Sequence, residues 1–290
     1  MDNLPDIIMA ALTAPQGPLW LPNITGALVE TGRKTLWQQS GITMLHYGTA
    51  RVLAGDASAP CHVVACLSSC PGADGVAPHL MAECLGSDVA HRYQELGLTF
   101  YTPDEITTTT ALNCLQEAIG ILATIPTLHH TTATLVRVCH LLKLADDNYD
   151  VSYSDPQVPF SIFISVPQRR RANDALRVAE SIVHEAMHLQ LTLVEQVVPL
   201  VHPSEEGYFS PWKGANRSPQ GVLHVLYVFR VINQCFEQLL ALSGWSPSSA
   251  DHMRNRRREI AAQVRKIEMF KDSTALTAVG SRFVQRLIYG

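Results

Sequence analysis

The residues with the clearest chemical potential are the pentapeptide His184-Glu185-Ala186-Met187-His188 inside "ESIVHEAMHLQLTLVE". On an α-helix, positions i and i+4 share a face one turn apart, so His184 and His188 can aim two imidazoles at one point. Glu185 is rotated by about 100° from His184, within reach of a metal-bound water without having to ligate the metal. That division of labour suits metal-dependent hydrolysis, in which the carboxylate is the general base. The same residues are also compatible with a polar stripe on a helix, but this helix is apolar on all sides, and ionisable groups on it would need partners to offset desolvation. A third imidazole stands in "GVLHVLYVF", where His224 lies on another apolar stretch. Two histidines from one helix and one from a facing helix would leave coordination positions open, as catalysis requires. The bland alternative for His224 is a core histidine bonded to a backbone carbonyl.

Between the two helices, "YFSPWKGANRSPQ" holds Tyr208, Ser210, Trp212, Lys213 and Arg217. A cation in such a loop can pair with the carboxylate of a substrate or co-substrate, arginine being suited to a two-pronged contact. A surface loop anchored by Trp212 is the competing reading. The other polar clusters carry less. "QRRRA" and "NRRRE" lack interleaved aromatics and read as solvated helix ends. His129-His130 sits in a Thr-rich stretch that reads as a turn. Asp146, Asp147, Asp150 and Asp155 fail the calcium-loop spacing. No Gly-rich phosphate loop or nucleophile elbow occurs.

The elements that must position these groups follow from periodicity. Helical spacing runs over about 26–53 and 79–97. "TPDEITTTTALNCLQEAIGILATI" opens with a good helix entry and ends at Pro126. "TLVRVCHLLKL" and "PFSIFISVP" are short and rich in Val, Ile and Phe, and predict two strands that pair as a small sheet. Helical periodicity returns at Asn173, a plausible cap, and stops near Pro199. Residues 201–220 hold too much Gly, Pro and Ser for a regular element and predict a long functional loop or lid. "GVLHVLYVFRVINQCFEQLLAL" is a second apolar helix ending at Ser243-Gly244, and two more helices complete the chain.

Composition sets the limits. At 290 residues with 47% hydrophobic content the chain can bury a sizeable core. Only 17% of residues are charged and the net charge is -4, so no global field recruits nucleic acid or an anionic membrane. "MDNLPDIIMAAL" begins with an acid and a proline where a secretion signal would be basic, and no window approaches a membrane span, so a cytoplasmic protein is expected. Seven cysteines, at 61, 66, 70, 84, 114, 139 and 235, lack paired CxxC units and argue against both a disulfide framework and a cysteine metal site.

From about Thr134 to Phe236 the order of features resembles the HExxH-motif family of peptide-modifying proteins found near genes for ribosomally made peptide natural products. The match rests on "VHEAMHLQL" followed by "YFSPWKGANRSPQGVLHVLYVF". It is similar to that family's HExxH, then Tyr-x-x-Pro-Trp-Arg, an Asp-Pro-Arg-Pro segment and Gly-x-Leu-(His or Gln)-Gly-x-Tyr-x-Phe. The resemblance implies a mononuclear metal on His184, His188 and His224. It further implies Fe(II) and 2-oxoglutarate dependent hydroxylation of a β-carbon in a precursor peptide, with Arg217 on the 2-oxoglutarate carboxylate. Lys213, Ala215-Asn216 and Ser218 depart from the family pattern, and Lys213 removes one expected arginine contact.

The expectation is therefore a predominantly helical α+β single domain with a small antiparallel sheet and an HExxH helix packed against a second ligand helix. Residues 1–130 would form a scaffold and 131–290 the metal-site part. The expected activity is oxidation of a peptide side chain, with Fe(II) on His184, His188 and His224, Glu185 near the metal, and Arg217, Lys213, Tyr208 and Trp212 around the co-substrate. Zinc-dependent peptide or amide hydrolysis, with Glu185 as base, is the alternative. A non-catalytic helical binding protein is the third reading. The substrate would be a peptide or a small molecule, with no nucleic acid and no membrane as partner.

Overall fold

The computed structural model describes residues 3–40, 63–67, 80–85, 87–144, 150–155 and 160–290. The protein is α+β and predominantly helical, and it divides into two compact units. One is Glu30–Ala186; the other joins Met1–Val29 to Met187–Gly290. Residue 130, where the sequence suggests a change from scaffold to site, falls inside a helix of the first of these.

The unit Glu30–Ala186 is built on a five-stranded sheet in the order β1-β2-β3-β5-β4. The strands are β1 (Val63–Leu67), β2 (Leu80–Glu83), β3 (Val138–Lys143), β4 (Ser152–Tyr153) and β5 (Ser161–Val166). The segments expected to pair do so, as β3 and β5, but in parallel, and β2 joins β3 in parallel as well. Antiparallel β1 and β4 close the two edges, so the sheet is mixed. Every residue of β5 is buried. A strand covered on both faces reads as a continuous apolar run, which is why "SIFISV" shows no alternation.

Helices α3 (Ser87–Gln94), α4 (Pro103–Thr108), α5 (Ala111–Ala123) and α6 (Pro126–Leu135) belong to the same unit. At α4, Thr102 and Glu105 form a reciprocal capping box, satisfying two orphan N–H groups. Three sequence expectations are corrected. The stretch 79–97 is not one helix, because residues 80–83 pair with β1 and β3. The helix expected over "TPDEITT…ATI" is broken at Thr109, whose backbone is extended. His129 and His130 lie on α6 rather than in a turn. There Thr132 donates its hydroxyl to the carbonyls of Leu128 and His129, and Leu128 and Leu135 are buried. Threonine hydroxyls turned back onto the helix removed the signal that made the stretch look irregular. Helical spacing expected over 26–53 is met to residue 40 by α2 (Pro22–Ser40); the remainder lies outside the described residues.

The unit formed by Met1–Val29 and Met187–Gly290 is helical. It contains α1 (Leu4–Thr13), the second half of α7 (Asp174–Glu195), α8 (Pro219–Ala241), α9 (Pro247–Lys266), a 3-10 turn (Glu268–Asp272) and α10 (Ala278–Tyr289). The expected loop 201–220 holds a small antiparallel hairpin, β6 (Tyr208–Ser210) and β7 (Ala215–Arg217), whose turn uses Gly214 at φ 64. Arg286 of α10 donates to the carbonyls of Ala11 and Leu12 at the end of α1, which helix geometry leaves unpaired. Gly280 allows α10 to approach the chain at Leu200 so closely that a Cβ there would stand 2.0 Å from the Leu200 carbonyl oxygen.

Cys139 and Cys235 are buried free thiols, and Cys84 and Cys114 are partly buried and free. Cys61 and Cys70 lie outside the described residues, as do Asp146 and Asp147. Asp150 pairs with Arg177, and Asp155 accepts from Tyr93. The basic runs are paired on the surface: Arg170 with Glu117, Arg256 with Glu259, and Arg257 with Glu237. Among the described residues no helix is long and apolar enough to cross a membrane.

Candidate metal centre

The HExxH motif lies on α7, and the boundary between the units falls within it, at Met187. The helix starts where the sequence places it. Asn173, at φ 68, turns the chain, and Asp174 accepts from the backbone N–H of Arg171 at 2.6 Å. Arg177 then makes a two-pronged contact with Asp150 at 2.8 and 2.9 Å, tying the first turns to the chain before β4.

In the unit containing the sheet, Glu185 is buried, and its Oε1 accepts from the hydroxyl of Ser152 on β4 at 2.8 Å. The nearest His184 ring nitrogen, Nε2, stands 4.0 Å from the same carboxylate oxygen. A buried carboxylate needs such donors to offset its desolvation. Ser152, invisible to any motif, thus helps to hold Glu185.

In the helical unit the structure brings His188 and His224 together. Their Nδ1 atoms are 3.3 Å apart, and the rings stack with centroids 5.5 Å apart. On the far side of the second imidazole, His224 Nε2 is 2.8 Å from Glu195 Oε2, and both side chains are largely withdrawn from water. Gln220 donates to the same Oε2 at 2.9 Å. Glu195 is absent from the motif-based reading, yet the signal was present. His184, His188 and Glu195 fall within about 40° of arc on one helix, since both intervals are close to whole turns.

A buried polar cluster fixes α7 against α8 at this level. Tyr227, one turn after His224, donates its hydroxyl to Gln190 Oε1, two residues after His188. Gln190 in turn donates to the Trp20 carbonyl and the Thr25 hydroxyl, each at 2.8 Å. Leu19 donates its N–H to Gln234 of α8 at 2.8 Å. Gln190 and Tyr227 are fully buried, so this cluster is satisfied or costly, and it sets the axial register that makes the two histidines meet. Burial also pushes the Tyr227 hydroxyl well above the usual phenol range, keeping it a donor.

These donors can be tested against the implied metal. Ligand nitrogens at about 2.0–2.1 Å from a tetrahedral metal are separated by about 3.3–3.4 Å, and the His188 to His224 spacing of 3.3 Å fits one such edge. A ligating histidine ordinarily gives its other N–H to a carboxylate, which is the place of Glu195. The donor set thus fits a divalent metal on this pair. Among the described residues, no three His, Cys, Asp or Glu side chains are gathered as a complete ligand set.

The co-substrate residues of the sequence reading sit on the hairpin. Tyr208 is pinned, donating to Glu206 at 2.5 Å and accepting from Ser273 at 2.7 Å. Trp212 stacks on Phe229 of α8 with an interplanar angle of 4°, which makes it a packing anchor whatever else it does. Lys213 and Arg217 are exposed, and among the described residues neither has a carboxylate partner. Ser210 Oγ and Trp212 Nε1 are buried without hydrogen-bond partners among the described residues. Lys213 and Arg217 are thus exposed cations, whereas the Ser210 and Trp212 donors are shielded from the surface. The chain matches no protein-family model, and no curated protein is significantly similar to it.

Proposed function

We propose that the chain is a metal-dependent peptide-modifying enzyme, an Fe(II) and 2-oxoglutarate dependent hydroxylase of a side-chain β-carbon, working in the cytoplasm. The observation that carries the reading is the arrangement of His188 and His224, Nδ1 to Nδ1 at 3.3 Å, with Glu195 behind His224. The resemblance adds His184, one turn before His188 on the same helix, as the third ligand of this reading. When bound, Fe(II) would activate dioxygen, the oxidant, with 2-oxoglutarate as the co-reductant that is decarboxylated to succinate as the substrate C–H is hydroxylated.

The protein's own residues have separable tasks. Glu195 accepts a hydrogen bond from the Nε2–H of His224 and so leaves its Nδ1 lone pair available to the metal. The Gln190 and Tyr227 cluster holds the two imidazoles at one height. Glu185, held by Ser152, orients water or substrate beside the ligands. Arg217, with Lys213, pairs with the carboxylates of 2-oxoglutarate.

Zinc-dependent amide hydrolysis remains a second reading because Glu185 is buried beside His184, as a general base on this motif would be. Protein purified without oxygen, loaded with Fe(II) and assayed for 2-oxoglutarate turnover separates the two. Oxygen-dependent turnover is expected, with Arg217→Ala raising the KM for 2-oxoglutarate at least tenfold while metal stoichiometry is unchanged. Tight zinc binding with oxygen-independent amide cleavage, lost in Glu185→Gln, would replace the oxygenase reading by the hydrolase one. Failure to bind either metal would leave a helical binding protein.

A further inference from the structure

Beside the paired histidines the helical unit contains an open cavity of about 350 Å³ with Glu195 in its lining. Its size falls within the range of roughly 300–1,000 Å³ usual for ligand pockets, with room for a long side chain and its adjoining backbone. Glu195 uses only Oε2 for His224 and Gln220, and Oε1 has no partner among the described residues. Gln220, also in the lining, spends its amide N–H on Glu195 and keeps its carbonyl oxygen.

The donors in the rest of the lining are the Ser204 and Ser218 hydroxyls and the His202 imidazole. Pro199, Pro203 and Pro219 have no N–H to offer. The backbone N–H of His202 is spent on the Ala275 carbonyl. Among the described residues no lysine or arginine lines the cavity. Arg217, next in the chain to Ser218, lies instead along the first turn of α8 at Gly221. The lining thus combines the Glu195 carboxylate and the Gln220 amide with the His202 imidazole and the hydroxyls of Ser204 and Ser218, each of which already accepts one backbone N–H. An anion would meet the Glu195 carboxylate, with only hydroxyl and imidazole donors to offset the repulsion. A guanidinium or ammonium group would find several acceptors, and its methylenes would pack on the prolines.

We infer that this cavity receives a basic side chain, an arginine or lysine of the peptide substrate, with its charge on Glu195 Oε1. That the ligand is a peptide rests on the function proposed above; the preference for a cation rests on the cavity alone. The site makes Glu195 a shared residue, with one oxygen on the metal-ligand histidine and the other on the substrate, so the basic residue acts as the fixed point from which the modified residue is measured.

The test uses the full chain in a chelator-containing buffer and N-acetyl-arginine methylamide, with the isosteric but uncharged N-acetyl-citrulline methylamide as comparison, followed by backbone amide NMR. The arginine probe is expected to shift the signals of residues 200–204 and 220–221 and to bind at least tenfold more tightly than the citrulline probe. Glu195→Gln is expected to abolish that difference, and Gln220→Ala to reduce it severalfold. Equal affinity of the two probes, or shifts confined to other regions, would overturn the inference. Metal binding measured separately keeps the two readings distinguishable. Loss of the cation preference with metal binding intact removes only the substrate assignment, and a retained preference in protein that binds no metal removes only the enzymatic one.

Discussion

Replacing Glu195 by glutamine is the sharpest perturbation because it changes charge without changing shape. In the native protein the carboxylate accepts from His224 Nε2 at 2.8 Å, with the two side chains only 12–13% exposed. A neutral imidazole has one N–H, and the carboxylate assigns it to Nε2, so that Nδ1 faces His188 with a lone pair. An amide in the same place can present its NH2 group instead, which favours the opposite tautomer and puts a proton where the metal belongs. Hydrogen bonds to a charged group contribute about 1.5–3 kcal/mol, and loss of a carboxylate behind a ligating histidine weakens metal binding by about 10- to 100-fold, or about 1.4–2.7 kcal/mol. The two ranges agree, so Glu195→Gln should weaken Fe(II) or Zn(II) binding by one to two orders of magnitude with little change in fold. Competition against a chromophoric chelator reads the affinity, and nitrogen NMR of labelled histidine reads the tautomer in the metal-free protein. A variant with unchanged tautomer and an affinity within twofold of the native protein would refute the reasoning.

Other consequences follow from buried contacts. Tyr227→Phe leaves Gln190 Oε1 without its donor in the core and should lower stability by about 1–3 kcal/mol in denaturant unfolding, with weaker metal binding as the histidines lose their common register. Gly280→Ala drives a methyl group into the Leu200 carbonyl, 2.0 Å away, and should cost about 3 kcal/mol, read as a lowered Tm. His140 is buried on β3, its Nδ1–H donating to the Glu83 carbonyl, and burial lowers its pKa from the ordinary 6.5 to about 4. The unfolded chain takes up that proton first, so the associated stability is present above pH 6.5 and is lost as pH falls toward 4, in total on the order of 3 kcal/mol. Unfolding curves between pH 7 and pH 4 check the loss, and an NMR midpoint near 6.5 for His140 would contradict it.

Much of this architecture is written in local pattern. The run "HEAMHLQLTLVE" is helical because its apolar residues recur at helical spacing, and that spacing carries His184 and His188 to one face without knowledge of the fold. The same arithmetic reaches Glu195, but a reading that ends with the pentapeptide does not count two further turns. Ser152 is different in kind. Its approach to Glu185 depends on β4 pairing with β5, a non-local event that no spacing within α7 encodes. The parallel sense of β3 and β5 was equally hidden, since a strand buried on both faces has the same apolar run whichever way its neighbour points. Residues 126–135 misled because threonine favours turns when its hydroxyl lacks a helix carbonyl, and here Thr132 and Thr134 have one. The hairpin inside 201–220 escaped because each strand is only three residues long.

The most direct test of the central claim is anomalous scattering from crystals of the full chain purified and grown without oxygen in the presence of Fe(II). One anomalous peak is expected at the iron edge, about 2.0–2.2 Å from the Nδ1 atoms of His188 and His224, with His184 as third protein ligand and Glu195 on the far nitrogen of His224. A structure in which His188 and His224 remain hydrogen-bonded to each other, with iron elsewhere or at no fixed site, would contradict it.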